Sequence, residues 1–334
     1  MAMSWVVLLL FVVCFCLSYN GGAEGGPSRL TKKEELEIEK QLKLLNKPAV
    51  KSIKMKPTSP PKRMNDKESS VVIVQPLVEI ALKGESCPIG TVPIKKTTKE
   101  DLIREKMLNA GNPGLHRAIV RTKEDPNRKY NGGGAAISVY MPATNASQYS
   151  SGQMTIQNGP DTIQVGWTAG GVSCFNTRCP GFIIVNTEVP LDSIIKPSQQ
   201  GGPVNAFNYY VYRDQVTGDW WLELGLNYTQ IGYWPQRIFS GLKDLATYLD
   251  WGGEANVLAG QAGPQMGVGQ FPTENIYYDA FCMRITTINE AHETVDAKDT
   301  EEFTTNADFY RVKDYKDGGQ ELRHVVLFGG PGPR

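Results

Sequence analysis

The sequence predicts an all-β fold, an antiparallel β-sandwich, preceded by a partly helical N-terminal segment. Beyond about residue 115, short runs rich in β-branched and aromatic residues alternate with Gly, Pro and Asn, a pattern typical of such sandwiches. The runs that we expect to form strands are 118–122, 135–140, 154–157, 162–168, 182–186, 209–212, 219–228, 277–285 and 324–328. In this part of the chain only residues 236–249 have apolar side chains at helical spacing, which favours a helix there.

The N-terminal part carries two helix signals. Thr31 and Glu34 have the spacing of a capping box, and apolar residues follow at mainly helical spacing until Pro48. A second short helix is expected over residues 100–108. Between the two, residues 51–70 are basic and rich in Pro and Ser, which is typical of a linker.

The charges are balanced over the whole chain but not along it. The 35 Lys and Arg equal the 35 Asp and Glu, which argues against a protein that coats nucleic acid. Residues 1–125 contain 21 basic and 14 acidic side chains, whereas residues 126–334 contain 14 and 21. Either the composition drifts between two domains, or a positive N-terminal segment covers an acidic cleft on the rest of the chain at neutral pH.

The N-terminus has the features of a secretory signal peptide over residues 1–23. Its apolar run, Trp5–Leu17, is too short to span a bilayer comfortably, and small residues follow at Gly21–Ala23. An N-terminal anchor is the alternative. No later segment reaches membrane length, so we expect a secreted protein, extracellular or in the cell wall, without membrane contact after cleavage.

In a secreted protein, cysteines can form disulfides and asparagines in suitable triplets can be glycosylated. Cys174 and Cys179 are close enough in sequence to close a short disulfide loop in an oxidising compartment, although the four mature cysteines allow three connectivities. Zinc is a weak rival because no His lies at ligand spacing from a Cys pair, and we expect no metal. Asn145 and Asn227 are predicted N-glycosylation sites.

The chain lacks a phosphate loop, a dinucleotide fingerprint and a metalloprotease motif, so we expect no cofactor. With only three His, the most open hydrolytic strategy is a carboxylate that activates water. Glu254, which follows a tryptophan and two glycines, is the candidate, although most Glu residues are merely solvated. Several aromatic rings either form core strands or line a cleft that binds substrate; they are Trp167, Trp220, Trp221, Tyr233 and Trp234.

Taken together and in order, several segments resemble the neprosin family of plant secreted proteins. They include CPIGTVPIKKTTKEDLIR, TIQVGW, CFNTRCPGF, TGDWWLELG, IGYWP, WGGE, QMGVGQFPTE and LFGGPG. The family includes glutamic-class prolyl endopeptidases that are made as precursors. The resemblance implies a propeptide over residues 24–112 and a two-sheet β-sandwich over residues 113–334. The implied partners are a proline-containing peptide or protein substrate, cleaved after proline at acid pH, and the chain's own propeptide.

The resemblance also implies a catalytic pair. One family glutamate corresponds to Glu254, and the other corresponds to Gln164, which cannot titrate. A second group of glutamic peptidases, from fungi, uses a Gln–Glu pair. By that analogy Glu254 deprotonates the attacking water and then protonates the leaving nitrogen, while Gln164 stabilises the tetrahedral oxyanion. The alternatives are a catalytically inactive secreted or cell-wall binding protein and a carbohydrate-directed sandwich, which has no paired acids to support it.

The chain departs from the family pattern at two further places. One family strand is absent near residues 168–171, where only a few small residues remain. Cys174 and Cys179 match the short disulfide of the family. Cys87 and Cys282 lack their usual partners, so each is either a free thiol or part of an unexpected bridge.

Overall fold

A computed structural model describes residues 31–46, 55–64, 73–74, 87, 91–103, 113–145, 148–170, 181–191, 193, 195–258 and 260–334. The strands are β1 (Ile73–Val74), β2 (Pro113–Thr122), β3 (Gly132–Ser138), β4 (Tyr149–Asn158), β5 (Asp161–Gly170), β6 (Ile183–Ile184), β7 (Asn205–Arg213), β8 (Trp220–Leu224), β9 (Thr229–Trp234), β10 (Tyr248–Leu258), β11 (Ala280–Ile288), β12 (Thr294–Asp296), β13 (Thr300–Thr304), β14 (Arg311–Tyr315) and β15 (Val325–Gly329). The helices are α1 (Lys32–Leu45) and the short α2 (Gly319–Leu322). Residues 99–103 are helical as well, which agrees with the helix predicted over residues 100–108 as far as its residues are described.

Two sheets pack face to face, which confirms the predicted β-sandwich. The small sheet has five antiparallel strands in the order β13-β2-β10-β4-β5. The large sheet has ten strands among the described residues, and eight of them follow the order β14-β15-β11-β3-β7-β8-β9-β6. Of the other two, β1 pairs with β7 and β12 pairs with β11. Buried rings from both sheets, among them Trp251, Phe207 and Trp220, fill the space between the two.

The N-terminal helix is confirmed together with its capping box. The Thr31 hydroxyl accepts from the Glu34 N–H, and the Glu34 carboxylate accepts from the Thr31 N–H. The helix is held to residues 91–103, where Thr97 makes two hydrogen bonds with the Asn46 side chain. One apolar residue of the helix, Ile38, is fully buried, so the helix packs through a narrow face.

Residues 55–64, expected to be part of a linker, instead lie on the outer face of the large sheet. Met55 packs against a cluster of buried rings there, and Lys62 forms an isolated parallel bridge with Glu293. Strand β1 also pairs with β7 in this sheet. Residues 55–64 therefore contact the sandwich on the side that faces away from the small sheet.

The helix expected over residues 236–249 is wrong apart from one 3₁₀ turn at Gln236–Ile238. The carboxylate of Asp161 accepts from the backbone N–H groups of residues 240, 241 and 242. These donors are then not available to a helix. The chain turns here and enters strand β10 at Tyr248.

Strand β5 ends the described path of the small sheet, and the next described strand, β6, pairs with β9 in the large sheet. Residues 171–180 lie outside the described residues, and with them the predicted Cys174–Cys179 disulfide. The predicted signal peptide lies outside them as well. Cys87 and Cys282 form no disulfide, and burial raises the pKa of the Cys282 thiol.

Candidate active site

Strand β10 places Glu254 on the outer face of the small sheet. Side chains alternate along a strand, so Trp251 and Gly253 face the core while Asp250, Gly252 and Glu254 face outward. Gly253 has no room for a side chain, because a Cβ there would lie 2.5 Å from atoms of Met266 and Phe328. The core thus fixes which face of β10 carries the carboxylates.

The register of the strands arranges the outer face in three rows that cross β2, β10, β4 and β5. The first row contains Arg117, Glu254, Ser151 and Thr168. The second contains Ile119, Gly252, Gln153 and Gly166. The third contains Arg121, Asp250, Thr155 and Gln164.

The second row forms a central trough, since glycines stand on both sides of Gln153. Gly252 has a φ of 148°, and a Cβ at this position would lie 2.3 Å from the carbonyl oxygen of Ala118. Only glycine fits here. Gly166 and Thr168 are exposed, so the trough reaches solvent at β5.

Three side chains donate hydrogen bonds to the carboxylate of Glu254, a residue that is 4% exposed as a whole. Arg117 Nε lies 3.0 Å from Oε2 and Gln153 Nε2 lies 3.3 Å from the same oxygen. The Tyr149 hydroxyl donates to Oε1 at 2.8 Å. Burial, followed by the charge of Glu254, raises the pKa of Tyr149, so this phenol stays a proton donor.

A second buried acid, Asp250, stands four residues before Glu254 on the same face. Burial raises its pKa to about 6, although the hydroxyl of Tyr248 and the charge of Arg117 act in the opposite direction. The Tyr248 hydroxyl donates to Asp250 Oδ2 at 2.9 Å. The other oxygen, Oδ1, is buried and accepts no hydrogen bond from any described residue.

Arg117 links the two acids. Its own burial opposes its charge, but the nearby carboxylates of Glu254 and Asp250 raise its pKa. The side chain is 29% exposed, whereas that of Glu254 is 6% exposed, so Arg117 lies between solvent and the buried carboxylate. The site therefore holds one ion-paired carboxylate and one carboxyl that keeps its proton to about pH 6.

Gln164 lies across the central trough from Glu254. It is two strands away and four residues along, which corresponds to about 10 Å across the strands and about 13 Å along them. Its side chain is partly exposed and makes no hydrogen bond to a described residue. The amide that contacts Glu254 in this structure is that of Gln153.

The predicted aromatic candidates lie in the core between the sheets or on the large sheet, and not beside Glu254. Trp167 and Trp220 are in the core between the sheets, where Trp167 Nε1 donates to the Ser138 carbonyl at 2.7 Å. Trp221 stacks on Tyr233 on the outer face of the large sheet, with ring centroids 4.9 Å apart. Trp234 packs on Phe182. The core interpretation of Trp167 and Trp220 therefore accounts for their positions.

The two predicted glycosylation sites have exposed asparagines. Asn145 precedes β4, and Asn227 lies in the turn between β8 and β9. Their modification stays a prediction.

Sequence reasoning missed four residues of the site: Arg117, Tyr149, Gln153 and Asp250. The polar side chains at 149, 151, 153 and 155 alternate with residues that face the core, and this period of two marks an outward polar face once β4 is known to be a strand. Asp250 lies an even number of residues, four, before Glu254 and therefore on the same face of β10. This alternation is visible in the sequence, but it can be interpreted only once both segments are known to be strands.

Among the described residues, no helix has the length and hydrophobicity that crossing a membrane requires. In a comparison with protein families, residues 146–331 match the family described as Neprosin. The match spans more than half of the chain and includes β4, β5 and β10, the strands that carry Gln153, Gln164 and Glu254. The chain belongs to the Neprosin family.

Proposed function

We propose that this protein is a secreted glutamic-class endopeptidase that cleaves after proline and is made as a precursor. The observation that carries the proposal is the carboxylate of Glu254, buried on a sheet face and held by three side-chain donors beside an open trough. Membership of the Neprosin family supports a peptidase of this kind. Cleavage after proline, secretion and removal of residues 24–112 are parts of the proposal.

In the proposed reaction the substrate backbone lies in the central trough. Glu254 removes a proton from a water molecule, and the resulting hydroxide attacks the peptide carbonyl carbon. An amide N–H₂ stabilises the oxyanion of the tetrahedral intermediate. Glu254 then delivers the proton to the leaving nitrogen as the C–N bond breaks.

Two amides compete for the role of oxyanion donor. Gln164 is the one that the family resemblance assigns, and its position across the trough from Glu254 leaves space for a substrate between the two. Gln153 is the one in contact with Glu254, at 3.3 Å. We assign the oxyanion to Gln164 and a positioning role to Gln153, because an amide already bound to the base cannot also face the substrate without moving.

Protonation of Asp250 would favour activity of this site at acid pH. With a pKa of about 6, its carboxyl is protonated in the acid range, and the site then carries one negative charge beside Arg117 instead of two. Two like charges on one face would oppose each other. We therefore expect activity to fall as the pH rises through about 6.

The decisive experiment is acid incubation of the purified full-length chain. The expected result is self-processing between about Leu108 and Arg128, followed by cleavage of a proline-containing peptide after proline. Glu254→Gln should abolish both steps, and Gln164→Ala should lower kcat by about 10²–10³-fold. Gln164→Glu keeps the length of the side chain and tests whether the amide is needed. A stable chain with no cleavage across the acid range would contradict the proposal.

A second candidate function is a non-catalytic secreted binding protein. The observation that favours it is that all three donors of Glu254 are already in place, so the carboxylate has the contacts of a structural ion-pair network. Under this function the unchanged chain would bind the peptide without cleaving it, and Gln164→Ala and Glu254→Gln would leave that binding unchanged.

A further inference from the structure

The outer face of the large sheet, opposite to the Glu254 face, carries a groove of rings and acids. Tyr210 and Tyr212 of β7 are buried on this face, together with Trp221 and Tyr233. We call the set Asp214, Glu223, Tyr210, Tyr212 and Tyr228 the outer-face groove. In this structure residues 55–64 lie in it.

The first contact of this segment is between its backbone and Asp214. The N–H groups of Thr58 and Ser59 donate to Asp214 Oδ2 at 2.5 and 2.7 Å. Burial opposes the charge of Asp214, but these two donors and those of Thr217 and Val216 lower its pKa. The contact uses backbone atoms, so it holds an extended chain without selecting its side chains.

The second contact is specific for a cation. Arg63 pairs with Glu223, and its guanidinium lies 4.2 Å from the ring centroid of Tyr228 and 5.8 Å from that of Tyr210. Planar guanidinium groups stack on aromatic rings and bind carboxylates better than ammonium groups do. The pocket therefore selects arginine.

Glu223 makes an empty groove unfavourable. Its side chain is 0% exposed, and apart from Arg63 its one described side-chain partner is the Tyr212 hydroxyl, at 3.2 Å. Burial raises the pKa of Glu223 to about 7, although the charge of Arg63 and the hydroxyl of Tyr212 act in the opposite direction. Without Arg63 this carboxyl must either take up a proton or stay buried as an uncompensated charge. A groove that has lost residues 55–64 would thus favour another cationic peptide.

We propose that the outer-face groove is a peptide-binding site for extended segments that carry an arginine, separate from the Glu254 site. Residues 55–64 fill it in the uncleaved chain. When that contact is weakened or lost, an arginine-bearing peptide from another molecule takes its place, with its backbone on Asp214 and its guanidinium between Glu223 and Tyr228. This binding goes beyond the proposed peptidase function, and it does not depend on cleavage.

The test uses the full-length chain with Glu254→Gln, so that the peptide is not hydrolysed. This chain is the parent. Its variant carries two further changes: Thr58→Pro, which removes one of the N–H donors to Asp214, and Arg63→Ala, which empties the cation pocket. A fluorescent peptide with the sequence of residues 55–64 is titrated into the variant and into the parent, and binding is followed by fluorescence polarisation. We expect the variant to bind at least about tenfold more tightly than the parent, whose own segment competes.

Two changes identify the groove as the site. Glu223→Gln in the variant chain should weaken binding at least about tenfold. The matched control is Glu293→Gln, which removes an exposed partner of Lys62 and should change binding less than about twofold. A peptide with Lys in place of its Arg should bind more weakly to the unchanged variant chain, which gives a readout even if Glu223→Gln does not fold. No binding, or equal binding in all these combinations, would overturn the proposal.

Discussion

Arg117 on β2 pairs with Glu254 on β10, with Nε 3.0 Å from Oε2, at directly opposite positions of two neighbouring strands. This ion pair holds the carboxylate of Glu254 in one position on the outer face of the small sheet. It also places a cation within reach of both acids of the site.

Removing this cation tests how much the buried carboxylate depends on it. Arg117→Met leaves Glu254 with two neutral donors, and we expect the free energy of unfolding to fall by about 1–3 kcal/mol, because Arg117 itself is partly exposed. Urea denaturation at neutral pH measures this. Arg121→Met is the control, since its partner Glu301 is more exposed and the loss should be at most about 1 kcal/mol. Equal losses would show that burial of Glu254 does not matter.

Gln153→Leu tests the positioning of the base. The change keeps the size of the side chain but removes the donor to Glu254 Oε2, so we expect kcat to fall by about tenfold or more while KM changes little. The measurement is peptide cleavage at several pH values. Restoration of activity by Gln153→Asn would support positioning through the amide. A loss confined to KM would assign Gln153 to substrate binding instead.

Asp250 should make stability depend on pH in an unusual direction for an acid. Its folded-state pKa of about 6 lies above its ordinary value of 3.8, so between these values the folded chain holds a proton that the unfolded chain has released. The contribution of Asp250 to stability is therefore complete below about pH 4 and is lost as the pH rises through about 6.

Comparison with Asp250→Asn isolates this contribution. Between about pH 4 and pH 7 the difference in free energy of unfolding between the wild type and the variant should change by about 2–3 kcal/mol, in favour of the variant at pH 7. Asp244→Asn, at an exposed position, is the matched control and should show no such change. A constant difference between wild type and Asp250→Asn across this range would refute the assignment.

Gly252→Ala tests the tight approach of β2 to β10 at the central trough. A methyl group would lie 2.3 Å from the Ala118 carbonyl oxygen at a φ of 148°, so we expect a loss of about 2 kcal/mol or more in thermal or urea unfolding. Gly260→Ala is the control, because nothing lies within 4 Å of the added atom there. Comparable losses in the two variants would show that backbone conformation and not contact sets the cost.

The strands whose apolar residues alternate or cluster could be predicted from the sequence, and all nine predicted runs overlap observed strands. Strand β10 could not, although it carries Glu254. Its two adjacent glycines weaken any strand pattern, and they are present because β2 and the core approach the backbone closely. The helical spacing over residues 236–249 was misleading because the carboxylate of a distant residue, Asp161, takes up the backbone donors.

Glu254 could be found from its local sequence, but the groups around it could not. Gln153 and Arg117 come from strands far apart in sequence, and only the register brings them to the same carboxylate. Trp220 and Trp221 show the converse case. Two adjacent rings in one strand must face opposite sides, so at most one of them can line any given surface.

Because side chains alternate along β10, its register decides both whether Trp251 is buried and whether Glu254 faces the site. A slip of one residue in its pairing would bring Trp251 to the solvent side and carry Glu254 into the apolar interior. Such a misaligned chain would lose its core together with its carboxylate face. Because the same register buries Trp251 and exposes the carboxylate face, we expect the folded population to be the population with an assembled site.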